Sequence, residues 1–105
     1  MHVNVELCLI PIGVGVSVAP YIATCQRILE AAGLQPVLHA YGTNVEGEWD
    51  VVMAAIKRCH VAVHAQGAPR IHSSVKIGTR TDRRQTLDDK VASVHMQLHP
   101  DAPTA

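Results

Sequence analysis

From His2 to Ile12 the chain alternates. Val3, Val5, Leu7 and Leu9 share one face and His2, Asn4 and Glu6 the other, which is the period of a β-strand. Cys8, Ile10 and Ile12 then turn the second face apolar, so the strand is expected to be half-buried at its start and fully buried at its end. Gly13-Val14-Gly15 breaks it. Val18, Tyr21, Cys25, Ile28, Leu29 and Ala32 follow at spacings of three and four, one stripe of an amphipathic helix with Ser17 as N-cap and Gly33 as its stop. Leu34 to Tyr41 reads as a second strand, placed at a sheet edge by Pro36, which cannot donate to a ladder. Gly42 punctuates the chain, Thr43 to Glu46 forms a short returning strand, and Gly47 closes it.

The helical period returns from Glu48 to Gln66 through Trp49, Val52, Met53, Ile56, His60 and Val63, and ends at Gly67 and Pro69. Glu48 and Asp50 at its start and the later Lys57 and Arg58 suit the helix dipole. Arg70 to Thr79 alternates as a strand. Thr86-Leu87-Asp88-Asp89 then resembles a capping box that opens a last helix through Leu87, Val91, Val94, His95 and Leu98. This order predicts an α+β domain, ferredoxin-like βαββαβ with an extra C-terminal helix, over residues 1–98, and Pro100 and Pro103 predict a flexible tail over 99–105. Right-handed crossovers put the two inner helices on one sheet face. The other face stays bare yet carries apolar groups, which predicts a partner, most simply another copy.

The 105 residues leave room for one domain, and 48% hydrophobic against 17% charged residues is a globular composition. There is no Phe and one Trp, so the core must come from aliphatic side chains and is small. Nine basic residues balance nine acidic ones, which argues against a nucleic-acid binder and against polybasic attachment to a membrane. The apolar run from Leu7 to Val18 has no basic region before it and is broken by Pro11 and glycines, so neither a signal peptide nor a membrane span is expected. Three widely spaced cysteines, Cys8, Cys25 and Cys59, fit buried, reduced thiols in a cytoplasmic protein.

Candidate chemistry is sparse. His60 and His64 stand four apart on a helix, a spacing that can put both rings on one metal, but no third ligand is evident, and a core or edge histidine beside a surface one is the favoured account. Gly13-Val14-Gly15 lacks the third glycine of a dinucleotide loop, and no lysine follows as in a phosphate loop. Cys25 and Cys59 sit at helix positions typical of core residues. Nothing makes a case for catalysis, a metal or a cofactor.

Two stretches stand out. In Tyr41-Gly42-Thr43-Asn44-Val45-Glu46-Gly47 an aromatic ring, a hydroxyl and a carboxylate gather around a tight turn. Glu46 could accept hydrogen bonds from an aminopyrimidine edge, or it could cap the following helix. In Lys76 to Arg84, three arginines and a lysine near a strand end could hold an anion. Alternatively Arg80 and Asp82 pair between subunits, or the run is simply solvated.

With these residues the chain resembles the thiamine-binding protein-like family. The likeness rests on Ile10-Pro11-Ile12-Gly13, on Gly42 through Asp50, on Arg70 to Asp82 with Lys76 and Arg80, and on Thr86 to Lys90, in order from Val3 to about Val94. The family has a glycine-threonine-x-x-glutamate stretch, which falls here on Gly42, Thr43 and Glu46. Asn44 replaces a hydroxyl or β-branched residue, and Gly78 stands where relatives often carry an aspartate. The resemblance implies a ferredoxin-like fold assembling into homodimers or homotetramers through its open sheets. It also implies non-catalytic binding of thiamine or its hydroxymethylpyrimidine part. On that expectation Tyr41, Gly42, Thr43 and Glu46 shape one hollow, with Glu46 on the ring edge, Thr43 giving a hydrogen bond and Tyr41 an apolar wall. Lys76 and Arg80 serve an anion or a subunit contact. The competing expectation is an interaction module that assembles through sheet faces and edges with no small-molecule ligand.

Overall fold

The structure is a computed structural model that describes residues 1–101. Its elements are β1 (His2–Ile12), α1 (Ala19–Ala31), β2 (Val37–His39), β3 (Gly42–Glu48), α2 (Trp49–Ala65), β4 (Arg70–Gly78) and α3 (Leu87–Leu98). The four strands form one sheet in the order β2-β3-β1-β4, with every neighbouring pair antiparallel. This is the ferredoxin-like arrangement with one helix added at the end. The part of the predicted tail from residue 102 onward lies outside the described residues.

Alternation decides the two faces of the sheet. Val3, Val5, Leu7 and Leu9 of β1 are buried with Val45 of β3, against Cys25 and Leu29 of α1 and Val52, Cys59 and Val63 of α2. Both helices end in the same way. Gly33 and Gly67 have φ of +77° and +107°, a region that favours glycine. In α1 the N–H of Gly33 donates to the Glu30 carbonyl and that of Leu34 to Leu29; in α2, Gly67 donates to His64 and Ala68 to Val63. These are paired Schellman bonds, and each places an apolar residue just past the helix, Leu34 or Ala68, back in the core.

That ending shortens the second strand. Leu34 to Tyr41 is predicted as strand, but only Val37–His39 pairs. Leu34 is consumed by the helix end, and Gln35 sits at φ +49° directly before Pro36, a left-handed conformation that cannot continue a ladder. Strand β3 is longer than its prediction and runs through Gly47, where an added Cβ would stand 2.8 Å from Leu34 Cδ2. Ser17 is not the N-cap of α1: Val18 occupies that position with no side-chain bond, and Pro20 in the first turn removes one of the N–H groups a cap would satisfy.

The far end of β1 also departs from expectation. Ile10 and Ile12 are 45% and 41% exposed, because they point to the open face at an end of β1 that no helix among the described residues covers. Helix α3 buries none of its residues, and Val91, Val94 and Leu98 all stand more than half exposed. No helix among the described residues is long and apolar enough to cross a membrane.

Candidate functional site

Strand parity separates the residues of the 41–46 stretch. Thr43 and Val45 point toward the helices, opposite Leu7 and Val5, whereas Gly42, Asn44 and Glu46 lie on the open face. Thr43 faces one hollow, which Tyr41 and Gly42 line from the turn at the strand's start, and Glu46 lines another, so the single hollow expected from the sequence is not formed.

The first hollow lies between α1, the Leu7–Ile10 part of β1 and the two-residue turn Ala40-Tyr41, with a volume of about 220 Å³. Its walls are apolar, from Leu7, Leu9, Val18, Ile22 and Leu38, with the half-buried thiol of Cys8 beside them. Tyr41 is 87% exposed at the rim. Thr43 is 5% exposed, and its hydroxyl donates to Gln26 Oε1 at 2.9 Å and keeps its lone pairs free to accept. His39 closes one side. Its Nδ1 receives the Tyr41 N–H at 3.4 Å, which puts the ring proton on Nε2, and Nε2 then donates to Asn44 Oδ1 at 3.1 Å. Glu6 Oε2 lies 3.5 Å from the same nitrogen.

Sequence reasoning missed Ile22, Leu38 and His39 as lining residues. Ile22 stands three positions before Cys25 and seven before Leu29, on the core stripe of α1 yet outside the packed core, and Leu38 lies inward across from Thr43, so each was a surplus apolar position.

Glu46 is engaged elsewhere. Its Oε2 accepts the N–H of Leu87, the first residue of α3, at 3.1 Å and lies 3.2 Å from His2 Nε2. It does cap a helix, but the last one and not the one that follows it in sequence. His2 Nε2 also faces Asn4 Oδ1 at 3.2 Å, while His2 Nδ1 is buried with no partner among the described residues, so the proton belongs on Nε2. Asn4 Nδ2 donates to the Gln85 carbonyl at 3.3 Å. The Thr86 hydroxyl accepts from Asp89 N–H and the Asp89 carboxylate accepts from Thr86 N–H, each at 3.0 Å, which completes the predicted capping box. The backbone bond from Thr86, followed by its side-chain bond, holds the Asp89 carboxyl below its ordinary range.

A groove of about 580 Å³ runs between Glu46, Gln35 and Asn44 on one side and Asp88, Lys90 and Val91 of α3 on the other.

Lys76 and Arg80 do not join the hollow. Lys76 is 81% exposed on the open face, with Nζ 3.7 Å from Glu6 Oε1. Arg80 pairs within its own chain: Nε donates to Asp82 Oδ1 at 2.7 Å, Nη2 donates to Asp82 Oδ2, and Nη1 donates to Gln85 Oε1 at 2.9 Å. The hydrogen bonds from Arg80 hold the Asp82 carboxyl at about 2. At the N-terminus the ammonium sits 2.8 Å from Glu48 Oε2, and that bond lowers the Glu48 pKa.

His60 bonds Ser73 Oγ at 2.8 Å and His64 Nδ1 donates to the Ala68 carbonyl at 2.8 Å, so the pair turns to different partners. No group of three or more metal-binding side chains occurs among the described residues. Cys25 and Cys59 are core thiols, with Cys59 Sγ donating to the Cys25 carbonyl at 3.8 Å. The side-chain bond with Cys25, reinforced by burial, pushes the Cys59 thiol up.

Residues 5–95 match the family described as thiamine-binding protein. A UPF0045 protein of Synechocystis is 62% identical over 93% of this chain and 81% of its own length. A UPF0045 protein of Eremothecium gossypii is 37% identical over 93% and 94%. Among solved structures, a hypothetical protein of Methanocaldococcus jannaschii superposes with a TM-score of 0.83 at 31% identity, over 90% of this chain and 96% of that one. A Thermotoga maritima protein, provisionally named for thiamine biosynthesis or salvage, shares the fold at a TM-score of 0.77 and 20% identity, over 90% and 99%.

Proposed function

This chain belongs to the thiamine-binding protein family, and from that premise we propose that it binds thiamine or its hydroxymethylpyrimidine part without catalysing a reaction. The observation that carries this reading is the apolar hollow of about 220 Å³ at the β2–β3 turn. A flat aminopyrimidine buries its faces between Leu7, Ile22 and Leu38, and its exocyclic amine donates to the Thr43 oxygen, whose own proton is already committed to Gln26. Tyr41 at the rim offers an aromatic face to the cationic thiazolium that follows the pyrimidine. On this reading Glu46, which accepts the Leu87 N–H, supports α3 and is not a ligand group, a different role from the one the family resemblance implied. Three free cysteines suit a reducing, cytoplasmic setting.

Calorimetry with thiamine and with hydroxymethylpyrimidine tests the reading. Saturable binding of either one, lost in a Leu38→Trp protein whose hollow is filled, is the expected result. An absence of heat and of any thermal shift from both would end it.

A second reading concerns assembly. Ile10, Ile12 and Val37 are exposed on the open face, and α3 shows an apolar stripe through Val91, Val94 and Leu98. These surfaces favour a homo-oligomer, which coexists with ligand binding. Native mass spectrometry reports the subunit number, and a strictly monomeric species at high concentration would contradict it.

A further inference from the structure

The loop from Thr79 to Gln85 borders a cleft of about 380 Å³ whose charges do not cancel. Arg80, Arg83, Arg84 and the carboxylate of Glu48 line it. Glu48 is engaged by the N-terminal ammonium and Asp82 by Arg80, so the nearest carboxylates already have partners. Arg83 and Arg84 have neither a hydrogen bond nor an ion pair within 4.0 Å among the described residues; Arg83 adds only a long-range attraction to Asp89, and Arg84 one to Glu48. Two adjacent guanidiniums at one loop apex repel each other unless an anion lies between them.

The loop is also braced. Arg80 bridges Asp82 and Gln85, and Asn4 holds the Gln85 carbonyl, so the segment on either side of Arg83-Arg84 is fixed before any ligand arrives. Preorganisation of this kind lowers the cost of binding. Tetrahedral oxyanions suit the site, because a guanidinium fork matches two phosphate oxygens at once.

We infer that this cleft binds a phosphate-type anion through Arg83 and Arg84, with Arg80 acting as a brace and not as a ligand group. The site lies near His2, at the opposite end of β1 from the hollow near Cys8, a separation of about 20 Å at the rise of a strand. It therefore takes its ligand separately from the pyrimidine, and the inference does not depend on the vitamin reading.

Calorimetry with inorganic pyrophosphate at physiological ionic strength provides the test. The expected result is saturable binding to the native protein that is weakened about tenfold or more in an R83Q/R84Q double variant. K76Q, a charge removed outside the cleft, binds as the native protein does, and hydroxymethylpyrimidine titrates the double variant as it does the native chain. Both arginines are exposed, so circular dichroism should show an intact fold in the variant. No binding by the native protein, undiminished binding by R83Q/R84Q, or an equal loss in K76Q would overturn the inference. None of these results bears on the pyrimidine titration.

Discussion

Strand β1 serves two different environments at its ends. Near Leu7 to Ile10 it walls a hollow whose groups are mostly apolar and whose few polar atoms keep unused acceptor capacity, as at the Thr43 hydroxyl. Near His2 and Asn4 it meets the root of α3, where Glu46 and Asn4 are bonded to backbone, Thr86 and Asp89 to each other, and Arg80 to the side chains of Asp82 and Gln85. Both ends contain residues that look functional in the sequence. A carboxylate that already accepts a helix N–H holds the fold together, whereas empty apolar volume with spare acceptors is available to a ligand. Under the proposed function, the contrast makes Glu46 part of the architecture and Thr43 the recognition group.

The sharpest way to break the contrast is to fill the hollow. Leu38→Trp, at a residue already 56% exposed, is expected to cost at least about tenfold in hydroxymethylpyrimidine affinity by occupying the ligand's volume, with little change in thermal midpoint. If a denaturation curve showed gross destabilisation instead, the hollow would belong to the packed core.

Glu46→Gln probes the other end. It keeps an oxygen for Leu87 N–H but loses the charge beside His2 and the helix N-terminus, and a loss of about 1 kcal/mol is expected in the protection of the first turn of α3. Amide hydrogen exchange at Leu87 to Lys90 reads that loss. Pyrimidine affinity should stay unchanged, and a large drop there would return Glu46 to the ligand site.

Gly78→Asp is a smaller perturbation. A Cβ at this position would lie 3.7 Å from Lys90 Nζ, so the new carboxylate gains an exposed ion pair worth about 0.5 kcal/mol and slows exchange across the α3 root. The same exchange measurement checks it.

Acid should separate the two ends without any mutation. Asp82, Asp89 and Glu48 all have depressed pKa values in the folded chain, so their contribution is present above the ordinary carboxylate range and is lost as pH falls through their folded values, for Asp82 about 2. Amide shifts from Thr79 to Lys90 are expected to move in this window before those of the β1 core. A simultaneous change in both regions would show that α3 and the sheet melt as one unit.

Much of this was legible in the chain. The alternation of Val3 to Leu9, the two helical stripes and the Thr86–Asp89 box act locally, and each appears where periodicity puts it. The losses came from effects that reach across the chain. The extended reading of Leu34 to Tyr41 failed because the Gly33 helix ending draws Leu34 into the core and leaves Gln35 left-handed. The shared hollow failed because a one-residue difference in parity sends Thr43 and Glu46 to opposite faces. That Glu46 would meet Leu87, 41 positions later, was not encoded in any local pattern.

The most direct test of this assignment is an amide chemical-shift map of the protein titrated with hydroxymethylpyrimidine. Perturbations centred on Leu7 to Leu9, Ile22 and Leu38 to Thr43 are the predicted result. Perturbations centred on Glu46, Leu87 and Asp88, with the turn at Tyr41 silent, would contradict it.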